Sequence, residues 1–201
     1  MRSYTPISNN HQTGTLDFVI KIYTPNEKYP DGAHMTRYLD KLQIGDKVEM
    51  VGPQGRIRYH GQGKFEIVDN PNLGSITRKK LGFIAGGTGI APCYSVMKCI
   101  EDHKDEIDST LLFANHTPED ILAKPWLDEL KTTKVNHIAS KADESWKELT
   151  GRIGPDLIKK LMPAPSDDTL IFFCGPKHFN EFMFEELPKL GYVKDTHFIK
   201  F

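Results

Sequence analysis

The sequence predicts two domains: a partial antiparallel β-barrel followed by an α/β doubly wound parallel sheet. Three observations carry this. In the first third, Leu16, Phe18, Ile20 and Ile22 alternate with Thr15, Asp17, Val19 and Lys21, the period of a strand. At 86–89 a glycine-rich turn stands between an apolar run and a helical pattern. From residue 80 onward, short apolar runs alternate with helical patterns to the end, the rhythm of βα units. A length of 201 residues accommodates one large domain or two small ones, with enough chain to bury a core.

The elements follow in order. Strand candidates at 2–7 and 15–22 are joined by a turn-rich hairpin connection, Ser8 to Gly14. Met35, Tyr38, Leu39 and Leu42 fall at helical spacing, so a helical turn is expected near 34–42. Further short strands are expected at 47–51, 56–60 and 64–68, punctuated by Gly45-Asp46, by Gly52 to Gly55 and by Gly61 to Gly63. The polar, turn-rich stretch 69–79 reads as the connection between domains. Then come a buried strand at 81–85, a helix from 90 to about 104, and a strand at 110–114. Thr117-Pro-Glu-Asp120 is a capping-box-like opening to a helix carrying Ile121, Leu122, Trp126 and Leu130. A weaker strand is expected at 135–139, a helix at 155–161, a strong strand at 170–174, a helix at 179–187 and a last strand at 198–201.

Composition excludes several classes. Charged residues are 26% of the chain, with seven Tyr and eleven Phe, so wholesale disorder is out. A net charge of −1 provides no basic surplus for nucleic-acid phosphates. No apolar run approaches the roughly 18 residues of a membrane span, and the opening residues carry no signal-peptide stretch. Cys93, Cys99 and Cys174 form neither a C-x-x-C pair nor a zinc spacing, and an odd count suits a reducing compartment such as the cytosol. The eight histidines fall at no ligand spacing, so no metal site is expected.

Four local features bear on chemistry. The turn Gly86-Gly-Thr-Gly89 before a helix suits a phosphate, because free N–H groups and the positive dipole end point at it. Pro92 sits in the first turn of that helix, where its missing N–H costs little. Alone, such a turn reads equally well as a tight turn. Gly32 to Arg37 could repeat the arrangement, but it reads first as a polar loop with a Thr cap. Cys174-Gly-Pro176 ends a strand, where open α/β sheets place ligands, or is a small residue followed by a turn. Arg2, Tyr4 and Thr5 put a cation, a phenol and a hydroxyl on one segment, or form an ordinary edge strand.

Together these pieces resemble the NADH–cytochrome b5 reductase family, within the wider ferredoxin–NADP reductase superfamily. The motifs run in order along essentially the whole chain: Arg-x-Tyr-Thr-x-x-Ser at 2–8, Val-Ile-Lys-x-Tyr at 19–23, Gly-x-x-Met-Thr at 32–36, Gly-Pro-x-Gly at 52–55, Gly-Gly-Thr-Gly-Ile-x-Pro at 86–92, Leu-Phe-Ala-Asn at 112–115, Cys-Gly-Pro at 174–176 and a terminal Phe201. The flavin and nicotinamide modules of nitrate reductase share them. The resemblance implies a ferredoxin-reductase-like, flavin-binding barrel portion over 1–70, lacking its first strands. A linker over 71–79 and an NAD(P)H-binding domain over 80–201 would follow. Family members carry strands upstream of Arg-x-Tyr-Thr, so another segment or chain would complete the barrel.

The resemblance also implies roles. Arg2 would pair with the FAD pyrophosphate, as a planar guanidinium suits phosphate. Tyr4 would lie against the isoalloxazine, and Thr5 near its N5. Ile20, Lys21 and Tyr23 would line the flavin and the approach of the nucleotide. Met35 and Thr36, with His34 beside them, would contact the FAD phosphates. Gly86, Gly87 and Gly89 would hold the NAD(P)H pyrophosphate, with Pro92 behind them and Thr88 where the cofactors meet. Cys174, Gly175 and Pro176 would hold the nicotinamide, and Phe201 would close the flavin face. Thr5, Lys21 and Cys174 would stand nearest the chemistry: hydride from NAD(P)H to FAD, then single electrons to a haem protein such as cytochrome b5. No general base is needed. The implied setting is the cytoplasmic face, at an endoplasmic reticulum or mitochondrial membrane through a segment outside this chain.

Several positions depart from the family pattern. Ala33 replaces a glycine and Thr36 a serine, and Cys174-Gly-Pro is followed by Lys177-His-Phe179 rather than Pro-x-Met. Where NADH-preferring members place an Asp, this chain has Ser140, followed by Lys141, which removes a carboxylate that repels a 2′-phosphate and adds a cation. NADPH is therefore expected beside NADH. Two alternatives stand beside a free-standing reductase: the reductase module of a larger redox protein, and a structural subunit that keeps the fold without turnover.

Overall fold

The computed structural model describes residues 2–8, 12–25, 30, 32–70 and 74–201. Parts of the expected hairpin connection (9–11) and of the expected linker (71–73) lie outside the described residues.

The first helix, α1, spans His34–Asp40, where helical spacing places it. Three strands follow, β1 (Ile57–Tyr59), β2 (Lys64–Ile67) and β3 (Ser75–Thr77), in an antiparallel sheet with β2 central. Tyr59 pairs with Phe65 and Lys64 with Thr77. Gly63 in the β1–β2 turn is required: its φ is +76°, and a Cβ there would lie 2.1 Å from the Arg78 carbonyl oxygen. Within the stretch 71–79, Ser75–Thr77 form β3.

The segments 2–7, 15–22 and 47–51, expected as strands, form no ladder. Alternation reports which side chains turn inward; a strand also needs a neighbour presenting successive N–H and C=O groups. Ile7 N–H does donate to Asp17 O at 2.8 Å, and Asp17 N–H donates to the Ser8 hydroxyl at 3.1 Å. Ile7 is buried, and Val19 packs on the core. The inward face is not the one the alternation indicates: Val19, on the face opposite Leu16, Phe18, Ile20 and Ile22, packs on the core, while Leu16 is 60% exposed.

Six strands form the parallel sheet: β4 (Lys80–Gly86), β5 (Asp108–Asn115), β6 (Thr133–Ala139), β7 (Leu149–Thr150), β8 (Thr169–Cys174) and β9 (Phe198–Lys200). Their order is β7-β6-β5-β4-β8-β9, parallel throughout. The chain builds outward from β4 through β5, β6 and β7, then returns to β4's other side with β8. The order reverses there, which makes the carboxyl edge at β4 and β8 the place where an open α/β sheet offers a crevice.

Helix α2 (Ile90–His103) buries Ile90, Cys93, Tyr94, Met97 and Ile100, the i, i+3, i+4, i+7 stripe of a helix lying on a sheet. The expected helix through 121–130 is broken. Pro118–Asp120 forms one 3₁₀ turn, Ala123 takes a left-handed φ of 58°, and α3 spans only Lys124–Asp128. Pro125 explains the break, since its ring and missing N–H cannot sit inside a longer helix and fit only its first turn. Trp126, which the expected helix carried, is exposed. Helices α4 (Pro155–Leu161) and α5 (Lys177–Lys189) cover the opposite face. Phe65 and Ile67 of β2 join Phe83, Met97 and Phe172 in one core on the α2 side, and the Phe65 and Phe172 rings lie 5.0 Å apart.

Candidate functional site

The nucleotide side is built from two glycine turns pressed together. Gly86 ends β4, and Gly87–Gly89 is a 3₁₀ turn that runs directly into α2. A Cβ on Gly89 would stand 2.1 Å from the carbonyl oxygen of Cys174, and one on Gly175 would stand 2.4 Å from the Phe179 ring. The base of the crevice is therefore closed to any side chain. At Gly87, with φ +53°, nothing lies within 4 Å of a Cβ, so the turn is open above. The N-cap of α2 has no side-chain cap, and the Ile90 N–H is taken by the Gly87 and Thr88 carbonyls of the turn. Pro92 sits in the first turn and Thr88 is exposed beside it.

The Cys174 thiol is pushed up by burial, with Lys200 opposing. It is neutral near pH 7 and suits a packed wall rather than a nucleophile. Asn180 Nδ2 donates to Gly175 O at 2.7 Å and fixes the second turn, while its Oδ1 is buried without a protein partner.

The same carboxyl edge carries the ends of β5, β6 and β9. Ser140 N–H donates to Asn115 O (3.1 Å) and Lys141 N–H to His116 O (2.7 Å), zipping the two strand ends together. His116 Nδ1 lies 3.2 Å from the Ser140 hydroxyl. Ser140 is half-buried, and Lys141 is exposed at the rim. Both polar atoms of the Asn115 side chain are buried without a protein partner. Phe201 N–H donates to Phe173 O at 3.1 Å, and its ring stacks on Phe172 at 5.0 Å.

The flavin side is assembled around Thr36. Its hydroxyl donates to Ala33 O and accepts from Tyr23 N–H, both at 3.2 Å, while Ala33 N–H donates to Tyr23 O at 3.1 Å. A Cβ on Gly32 would lie 2.5 Å from Tyr23 O, so the segments 21–25 and 32–36 touch only because residue 32 is glycine. The hydroxyl's single hydrogen is spent on Ala33. Thr36 is buried, Ile20 and Met35 are half-buried, and His34 is exposed. His34, Arg37, Tyr38 and Lys41 line a shallow concavity of about 250 Å³, a basic wall suited to an anion. On the first segment, Arg2 and Tyr4 are exposed and Thr5 is half-buried.

Lys21 joins the two sides. Its Nζ lies 2.6 Å from Asp120 Oδ1 in the turn after β5, and 5.8 Å from the centre of the Tyr23 ring. That contact holds the Asp120 carboxyl below its usual range. Sequence reasoning missed Asp120, Asn115 and Asn180 as parts of the edge. Asp120 was legible only as half of a capping box, and the two asparagines carry no local signal of burial.

The family described as the oxidoreductase NAD-binding domain matches residues 83–184, and the oxidoreductase FAD-binding domain matches residues 1–59. NADH-cytochrome b5 reductase 2 of Mus musculus is 40% identical over 212 residues, covering 99% of this chain and 76% of the relative. Nitrate reductase [NADH] of Spinacia oleracea is 38% identical over 96% of this chain and 21% of its own length. Among solved structures, the cytochrome b5 reductase domain of Ulva prolifera nitrate reductase superposes with a TM-score of 0.92 at 32% identity. It covers all of this chain and 78% of its own. With two facing glycine turns, a basic concavity on α1 and these likenesses over nearly its full length, the chain belongs to the NADH–cytochrome b5 reductase family.

Proposed function

We propose that this chain is an FAD-containing NAD(P)H reductase that delivers electrons one at a time to a haem protein of cytochrome b5 type. The observation that carries it is the crevice itself: the turns at Gly86–Gly89 and Cys174–Pro176 close at their base and open at Gly87, on the sheet edge where Lys21 meets Asp120 in the turn after β5. When bound, FAD supplies a hydride acceptor that can release electrons singly. The residues present fit both cofactors. Gly87 leaves a cradle, the α1 concavity is basic, and the Asn115 and Asn180 side chains keep buried polar atoms with no protein partner.

This chain's part is binding and alignment. Arg2 and the basic wall of α1 would hold the FAD phosphates, while the backbone of the Gly86–Gly89 turn would hold the NAD(P)H pyrophosphate. Tyr4, Thr5, Ile20 and Tyr23 would bound the flavin, with Phe201 closing its face. Thr88 and Cys174-Gly-Pro would hold the nicotinamide. The functional division proposed is a flavin-binding portion at 1–70, a connection at 71–79 and a nucleotide-binding domain at 80–201. No described helix is long and apolar enough to cross a membrane. A cytoplasmic-face position beside a membrane-bound acceptor fits the reductase reading.

The test is to load the chain with FAD and follow NADH-dependent reduction of cytochrome b5. Turnover that needs both FAD and NADH is expected; a chain that stays colourless with added FAD contradicts the reading. The likeness to nitrate reductases favours a second form of it, in which the same module serves an acceptor in a larger redox protein. Ser140 and Lys141 stand where the family resemblance would put a carboxylate that repels a 2′-phosphate. NADPH is therefore expected to react with kcat/KM within about tenfold of NADH, a gap of about 1.4 kcal/mol. A thousandfold NADH preference, about 4 kcal/mol, contradicts that assignment.

A further inference from the structure

The contact between Lys21 and Asp120 joins residues 99 positions apart, yet their charged atoms are 2.6 Å from each other. Its two ends are held differently. Asp120 is fixed: its second oxygen accepts the Thr117 N–H at 3.3 Å, closing the capping box of the turn after β5. Lys21 carries its charge on a long flexible stem. The side chains are 32% and 29% exposed, so the pair lies at the rim, where an ion pair contributes only about 0–1 kcal/mol and exchanges readily. Asp120 stands one turn beyond Asn115, at the carboxyl edge that holds the open Gly87 cradle. A dinucleotide pyrophosphate carries two negative charges where Asp120 offers one, and so can outbid it for the ammonium group.

We propose that Asp120 is a positioning residue that parks Lys21 across the mouth of the nucleotide crevice, standing in for the dinucleotide's phosphates. Lys21 passes to the pyrophosphate when nucleotide enters and returns to Asp120 when it leaves. The carboxylate thus spares the crevice an uncompensated cation and competes with the nucleotide for Lys21. Binding is weaker than the crevice alone would give, and the spent nucleotide leaves faster. The proposal rests on the reductase reading above.

The test uses the FAD-loaded chain and ADP-ribose, which carries the pyrophosphate without a reacting ring. Asp120→Asn keeps an oxygen for the Thr117 N–H and removes the charge. Its ADP-ribose affinity is expected to rise about three- to tenfold, with KM for NADH falling in parallel and kcat not rising. Asp120→Glu restores the charge and should return the affinity toward wild type. In a Lys21→Gln background, Asp120→Asn should produce no gain. An unchanged or weaker ADP-ribose affinity in Asp120→Asn overturns the proposal, as does the same gain with Lys21 absent; either result leaves a mere clasp between the two sides. A wild-type chain that binds neither FAD nor ADP-ribose overturns the reductase reading and this proposal with it.

Discussion

Gly89 and His137 show what single residues decide. Gly89 has no freedom to be anything else, because the Cys174 carbonyl occupies the space of a side chain. Gly89→Ala must push the β4 and β8 turns apart, at a cost of about 1–3 kcal/mol by overpacking. A thermal melt and an ADP-ribose titration should show lower stability and lost nucleotide binding together; wild-type values in both would contradict the closed base. His137 lies 3% exposed beside Phe113, with both ring nitrogens lacking a protein partner. Burial pushes its pKa down, against the opposing pull of Glu148. The folded chain therefore binds this proton less readily than the unfolded chain. The associated stability is complete above the unfolded value of about 6.5 and is lost as pH falls below it. Urea midpoints should drop from pH 7 to pH 5, and His137→Phe should flatten that slope; parallel slopes would contradict the assignment. Neither role was fully readable beforehand. The glycine motif marked Gly89, but its clash partner is 85 positions away. Nothing around His137 says that its ring packs beside Phe113.

At the scale of elements, the β1–β2 hairpin is tied to the end of α2. The Tyr59 hydroxyl donates to Asp105 and accepts the Gly63 N–H at 3.1 Å, while Gln62 Nε2 donates to Asp105 Oδ1 at 2.6 Å. Asp105 is 4% exposed and precedes β5, at the edge of the sheet away from the crevice. Tyr59→Phe removes a donor from a buried carboxylate and an acceptor from a backbone N–H. A loss of about 1–3 kcal/mol is expected in chemical denaturation, with ADP-ribose affinity unchanged. A loss in affinity instead would mean that this anchor communicates with the crevice. Elements with a long amphipathic period, such as α2 and α5, were legible because burial of one face repeats along the sequence. Over 2–22 neither ladder nor face was legible, since a ladder depends on a partner that alternation does not name, and Val19 rather than Leu16 turns to the core. The two-residue β7 is too short to carry a period, and Pro125 cut a helix that apolar spacing had extended.

For the whole molecule, the fold class was legible because two rhythms meet near residue 80, one of short glycine-turned segments and one of βα units. The strand order and the contacts between the two parts were not. They arise where Phe65 meets Phe172 and Lys21 meets Asp120, pairs with no local signature. Those contacts unite the two parts: a core running from β2 to β8 on one face of the sheet and an ion pair at the mouth of the crevice. The central claim is that this joined crevice brings a reduced nicotinamide to a bound flavin. The most direct measurement is an anaerobic titration of the FAD-loaded chain with NADH, followed in the visible flavin band. The account predicts that the yellow band bleaches with about one NADH per flavin and recovers when oxidised cytochrome b5 is added, because a hydride carries two electrons. A chain that binds FAD yet keeps its colour through excess NADH and excess NADPH would contradict it.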